Sequence, residues 1–209
     1  MPETSSLEFF YDCSSPWTYF AFTRILPMAE NLGVAITWRP LLVGGVFNAV
    51  NQEVYTARQK MFDGENKRRL DYFIKDMADW ARLCGVTADI PPGHPISSVK
   101  AMRGAFYAEE QGLIVPYSRK VFETYWSGDN PDISSDEVMR NICEAVGLDA
   151  AGFFKAVNDQ RYKDLLRANT DELIARGGYG SPTIFINKDD MYFGNDRPPL
   201  VEAALRRLL

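Results

Sequence analysis

Leu7-Glu8-Phe9-Phe10-Tyr11-Asp12 runs directly into Cys13-Ser14-Ser15-Pro16-Trp17-Thr18, and the junction between the two decides how the chain begins to fold. The first piece is short, rich in aromatics and bounded by turn residues, the pattern of a strand. In the second, Pro16 stands just inside a long apolar run with serine before it. Serine at a helix N-cap and proline at the first helical position are a matched start, because the amide lost to proline has no helical partner there. The helix is expected to reach Asn31-Leu32, with Gly33 as a left-handed stop. Pro27 inside it predicts a kink or a break. Val34 to Arg39 reads as the next strand, closed by Pro40. Strand, helix and strand at this spacing form a βαβ unit with parallel strands.

At the other end, Gly177-Gly178-Tyr179-Gly180 opens a second change of character. Ser181 to Asn187 reads as a strand entered through Pro182. Lys188-Asp189-Asp190 reads as a hairpin turn, Met191-Tyr192-Phe193 as the returning strand, and Pro198 or Pro199 to Leu209 as a closing helix. Residues 2–6 are a polar lead-in. Between the two ends, residues 41–60 are poorly periodic and read as a loop with room for a helical turn. Helical spacing follows over 65–83, an irregular proline cluster at 90–95, then helices near 98–112, 115–127, 134–146, 150–157 and 159–176. Ser134 or Ser135 is the expected cap of the third of these, with Asp136 and Glu137 favouring its dipole. The order is βαβ, a long helical stretch, then ββα. That is an α/β chain in which residues 1–40 and 178–209 make one domain and residues 41–177 a connecting loop and helical insertion.

The composition agrees with a folded chain. Of 209 residues, 46% are apolar, and 13 Phe, 10 Tyr and 4 Trp supply core material. The formal net charge of -5 argues against a broad nucleic-acid or anionic-membrane surface. No run approaches the roughly 18 apolar residues of a membrane span. Cys13, Cys84 and Cys143 contain no C-x-x-C pair, and His94 is the single histidine. Dithiol redox chemistry, a His-based metal site and a Ser-His-Asp triad therefore lose their usual signatures, and no metal is expected. With reduced thiols and no basic residue before Arg24, the chain reads as cytoplasmic.

Asp12-Cys13-Ser14-Ser15-Pro16-Trp17-Thr18, Arg69, Tyr72, Asp76-Met77, Trp80-Ala81, Gly180-Ser181-Pro182-Thr183 and Phe193-Gly194-Asn195-Asp196-Arg197 stand in an order that resembles one family. It is the DsbA-like thioredoxin superfamily, in the branch of 2-hydroxychromene-2-carboxylate isomerase and the kappa-class glutathione transferases. The resemblance covers nearly the whole chain. It implies a thioredoxin-like fold (βαβ…ββα) with a large all-helical insertion. It also implies glutathione as cofactor, a small aromatic or α-keto acid as second substrate, and a homodimer.

The residues carry that chemistry unequally. Ser15 puts a hydroxyl at a helix N-terminus, where amide groups and the dipole favour an anion such as a thiolate. Its plain alternative is capping. The resemblance makes Ser15 the catalytic residue and a glutathione contact. It implies a cis Ser181-Pro182 bond, with Ser181 offering its backbone to a tripeptide as an added strand. A trans proline at a strand start is the alternative. Phe193 and Gly194 are implied to contact glutathione, and Asn195 and Asp196 to take its γ-glutamyl end, while Asp196 alone would equally cap the last helix. For the second substrate the candidates are Trp17, Asn51, Arg69 and His94. Arg69 is a cation where relatives carry lysine, beside Lys67 and Arg68 on one solvated face. His94 is either an acid/base group or a surface histidine. Cys13 reads as a buried small residue. One departure stands out: relatives carry Pro-x-Asn-Ser where this chain has Pro95-Ile96-Ser97-Ser98.

These readings converge on a glutathione-dependent isomerase interconverting 2-hydroxychromene-2-carboxylate and trans-o-hydroxybenzylidenepyruvate, as in aromatic catabolism. A kappa-like transferase and a thiol-peptide binding module without turnover are the alternatives.

Overall fold

The computed structural model describes residues 6–129 and 131–208. The lead-in over residues 2–5 and the terminal Leu209 of the expected closing helix lie outside the described residues. The chain forms β1 (Leu7–Tyr11), α1 (Pro16–Leu32) and β2 (Ile36–Pro40). Helices follow as α2 (Val43–Val50), α3 (Gln52–Phe62), α4 (Lys67–Cys84), α5 (Val99–Glu110), α6 (Ile114–Tyr125), α7 (Asp136–Ala145), α8 (Ala150–Asn158) and α9 (Gln160–Ala175). The chain closes with β3 (Thr183–Ile186), β4 (Asp190–Phe193) and α10 (Pro198–Leu208). Among the described residues no helix is long and apolar enough to cross a membrane.

One mixed sheet joins the two ends in the order β2-β1-β3-β4. β1 runs parallel to β2, with Phe9 opposite Trp38, and antiparallel to β3, with Phe10 opposite Thr183. β3 and β4 are the expected hairpin. The βαβ and ββα patterns thus meet in one sheet, and the fold is a DsbA-like thioredoxin fold.

Side chains alternate across β1 as the strand period requires. Phe9 and Tyr11 face α1 and the helical insertion, where Phe9 meets Trp38 edge-on and Tyr11 lies near Phe122. Phe10 faces the opposite side, with Phe185, Leu41, Val46 and Leu173. Over Phe9–Tyr11 both faces are apolar, which is why three aromatics stand in a row there, while Glu8 on Phe10's face pairs with Arg39 and Arg176. The Tyr11 hydroxyl bonds Ser118 at 2.8 Å and ties the sheet to α6.

Three local expectations are corrected. α1 continues through Pro27 without a break. Pro27 is exposed while Ile25, Met28 and Ala29 are buried, so core packing holds the helix through the missing backbone bond. Residues 41–60, read as a loop, form α2 and most of α3. Gly44 and Gly45 lower the intrinsic propensity of α2, but its first amide, Val43 N–H, donates to the Asp12 carboxylate at 2.9 Å. Gly45 also lets α2 approach α9, because a Cβ there would lie 3.3 Å from Thr170 Cγ2. Ser135 stands at the N-cap of α7 but makes no side-chain cap bond; the Ser134 amide is held by Asp132 at 2.8 Å instead.

Candidate functional site

The start of α1 is built from interlocking hydrogen bonds. Ser15 is the N-cap in extended conformation, with Pro16 next, and its Oγ accepts from the Thr18 amide at 3.3 Å. The same hydroxyl donates to the Ser181 carbonyl at 3.2 Å. The Ser181-Pro182 bond is cis. Ser181 Oγ accepts from the Asp12 amide at 3.1 Å and bonds the Thr18 hydroxyl at 2.8 Å. Ser15, Thr18 and Ser181 are all buried. The helix N-terminus and the entry to β3 are therefore one unit.

Asp12 braces this unit from below. Its Oδ1 accepts from the Ser14 amide at 2.9 Å and the Ser14 hydroxyl at 3.0 Å, and its Oδ2 from Val43 N–H. Burial pushes the Asp12 carboxyl above its ordinary pKa, against the pull of donors on Ser14, Val43 and Ser98. One carboxylate thereby serves the start of α1 and the start of α2. Cys13 beside it is buried, and burial pushes its thiol well up, so it is a poor nucleophile.

A cavity of about 410 Å³ opens beside Ser14 and Ser15. Its walls include Phe47, Arg58, Phe62, His94, Ile96 and Ser98. Its size falls in the range of small-molecule sites. His94 is not a surface residue. Its ring packs edge-on to Phe62 and Tyr125 and at a tilt to Trp126. Tyr125 Oη accepts from the Ile96 amide at 3.0 Å, which leaves its single proton for His94 Nδ1 at 2.8 Å. In the tautomer where Tyr125 donates that proton to Nδ1, the imidazole proton sits on Nε2. Burial and then the Arg58 charge lower the His94 pKa from 6.5 to about 4, so the ring is neutral near pH 7.

Phe193 and Gly194 return beside the cis proline, and Asn195 and Asp196 follow them in the chain. The Gly194 amide donates to the Pro182 carbonyl at 3.2 Å. The Phe193 ring lies at a tilt 4.5 Å from that of Tyr179 and fills the space where a Cβ on Gly180 would stand. Asn195 is buried, its carbonyl accepts from Arg24 at 3.1 Å, and its Nδ2 has no partner among the described residues. Asp196 pairs with Arg197 at 3.1 Å.

Three expected residues lie apart from the cavity wall. Trp17 packs edge-on to Phe20 and Phe73, holding α1 against α4. Asn51 joins α2 to α3 and donates to the Tyr179 carbonyl at 3.1 Å, near the cis-proline edge. Arg69 is exposed in the first turn of α4. Conversely, Arg58, Phe47 and Phe62 escaped the sequence reading. The signal was present: Tyr55, Arg58, Gln59 and Phe62 stand at i, i+3, i+4 and i+7, and all four line the cavity.

Comparison with known proteins places this arrangement. The model of the DSBA-like thioredoxin domain matches residues 6–206. The chain is 27% identical over 203 residues to 2-hydroxychromene-2-carboxylate isomerase of Pseudomonas putida, covering 97% of this chain and 95% of that one. It is 25% identical to glutathione S-transferase kappa 1 of Rattus norvegicus, covering 98% of this chain and 92% of the relative. A solved structure of 2-hydroxychromene-2-carboxylate isomerase superposes with a TM-score of 0.81 at 25% identity, over 97% of this chain and 95% of the other. With one sheet closed by β3 against β1 and a serine hydroxyl bonded across it to a cis proline's neighbour, the chain belongs to the DSBA-like thioredoxin domain family, and its relatives there include isomerases and kappa glutathione transferases.

Proposed function

We propose that the protein is a glutathione-dependent isomerase of the 2-hydroxychromene-2-carboxylate type. The observation that supports this most is the position of Ser15. Its hydroxyl reaches the Ser181 carbonyl, and the same residue lines the cavity. A thiol held along the Ser181-Pro182 edge thus meets a substrate held in the cavity at one hydroxyl.

The residues of that edge fit a tripeptide. Ser181 offers backbone groups for strand-like pairing. The unpartnered Nδ2 of Asn195 and the carboxylate of Asp196 suit the α-carboxylate and the amine of a γ-glutamyl group. When bound there, glutathione would supply a thiolate nucleophile capable of reversible addition to a conjugated carbon. Ser15 turns its proton from the Ser181 carbonyl to the sulfur and favours the thiolate, aided by the positive end of α1. His94, neutral, offers Nε2–H to a substrate oxygen. The aromatic walls exclude water from the conjugated system. Disulfide exchange is disfavoured, because Ser15 and Thr18 stand where a C-x-x-C pair would and Cys13 is buried.

The test is the ultraviolet absorbance of 2-hydroxychromene-2-carboxylate on adding enzyme with and without glutathione. A change that requires glutathione is expected. Conjugation of a chloronitrobenzene without isomerisation would assign a transferase instead, and glutathione binding with neither activity a binding module.

A further inference from the structure

Arg58 is the one cation among the described residues that line the cavity. It is half-buried, and its guanidinium stands over the Phe47 ring at 5.6 Å. It makes no ion pair or side-chain hydrogen bond with any described residue. The two acids of the lining do not neutralise it. Asp12 is engaged by Ser14 and Val43, and Asp63 is exposed and unpaired with it. Burial lowers the Arg58 pKa with no acid acting to raise it. A guanidinium stays charged in proteins, and a partly desolvated one without a counter-ion is unfavourable. His94 supplies a donor to the same wall but no charge. The cavity therefore combines an apolar aromatic wall with a single uncompensated positive charge, which suits a planar organic acid.

We propose that Arg58 is the carboxylate-recognition residue of the cavity, pairing with the acid group of an aromatic substrate whose ring lies against the wall made by Phe47 and Phe62. This rests on the reading that the cavity takes the second substrate while the thiol peptide follows the Ser181-Pro182 edge. A carboxylate of glutathione shares the same chemistry, and the test separates the two.

Calorimetric titration of the whole protein with trans-cinnamate, trans-cinnamamide and glutathione decides it. Wild type should bind cinnamate about tenfold more tightly than the neutral amide, as a charge-assisted pair implies. Arg58→Gln should bind both probes with the affinity of the amide and leave glutathione unchanged. Arg58→Lys should keep part of the preference. Retained amide binding in Arg58→Gln shows that the cavity is still folded. No preference in wild type, or an undiminished preference in Arg58→Gln, would overturn the proposal. So would a loss in Arg58→Gln confined to glutathione. An Arg58-dependent preference in a protein that does not bind glutathione would uphold this site and remove the thiol reading.

Discussion

The Ser15 hydroxyl donates to the Ser181 carbonyl at 3.2 Å, across 166 positions of sequence. The bond joins a helix start to a strand start and holds the serine that the proposed reaction needs. Ser15→Ala should cost about 1 kcal/mol of stability through the lost cap. Under the proposed mechanism it should cut turnover by about ten- to a hundredfold, the worth of one hydrogen bond to an ionised group. Urea unfolding and steady-state rates at saturating glutathione separate the two effects. Full turnover in the variant would remove Ser15 from the chemistry.

Asp196→Ala should raise the apparent KM for glutathione about tenfold while leaving the rate at saturation near wild type, the signature of lost uniform binding. Its partner Arg197 is at the surface, so the fold should not respond. Unaltered glutathione dependence would place the peptide elsewhere.

Asp12→Ala removes the acceptor for the Ser14 amide, the Ser14 hydroxyl and the Val43 amide at once. Leaving buried donors unmet should destabilise the protein by about 3 kcal/mol. Asp12→Asn should recover only part, because its amide turns two donors toward donors. Equal denaturation midpoints for Asp12→Ala and wild type would show that the brace carries no weight.

The pH dependence of stability should carry the mark of His94. An unfolded chain takes up a proton on this ring below pH 6.5, whereas the folded ring does not until about pH 4. The unfolded state binds more protons across that window, so folding weakens as pH falls through it, by about 3 kcal/mol in all. His94→Gln lacks this component. Between pH 7 and pH 4 wild type should therefore lose about 3 kcal/mol more unfolding free energy than His94→Gln. Parallel losses would mean that the ring titrates normally.

Gly104 in α5 faces Phe153 of α8 so closely that a Cβ would stand 2.0 Å from its Cε2 and 2.7 Å from Tyr117 Oη. Gly104→Ala should lower stability by about 3 kcal/mol through overpacking, despite the better helix propensity of alanine. A midpoint equal to wild type would show that these rings yield freely.

What was legible in the sequence was what neighbouring residues decide together. The aromatic run into Ser15-Pro16 carries its strand, its turn and its cap in a dozen positions. The hairpin of β3 and β4 is marked by a turn between two apolar runs. α2 was not legible because its stability is not local: two glycines argue against it, and the carboxylate that secures its first amide belongs to Asp12. His94 was left between two readings for the same reason. Its enclosure comes from Phe62, Tyr125 and Trp126, which meet only in the folded chain. Arg69 matched the family pattern by position, yet it is solvated, while Arg58 reaches the cavity from a helix whose spacing was readable but lay beside a glycine-rich stretch.

The strand order has a consequence for the timing of synthesis. β1 is made first and takes β2 on one edge, but its other edge waits for β3, which follows α9. A nascent chain thus carries a half-paired aromatic strand on the ribosome while the whole insertion is translated, an arrangement that invites wrong partners. Ser15 has no Ser181 carbonyl to meet until that last hairpin emerges. Assembly of the Ser15 site is therefore a late, single event in the life of each molecule, and a chain released before residue 181 holds all of the cavity-lining residues and lacks the cis-proline edge that Ser15 faces.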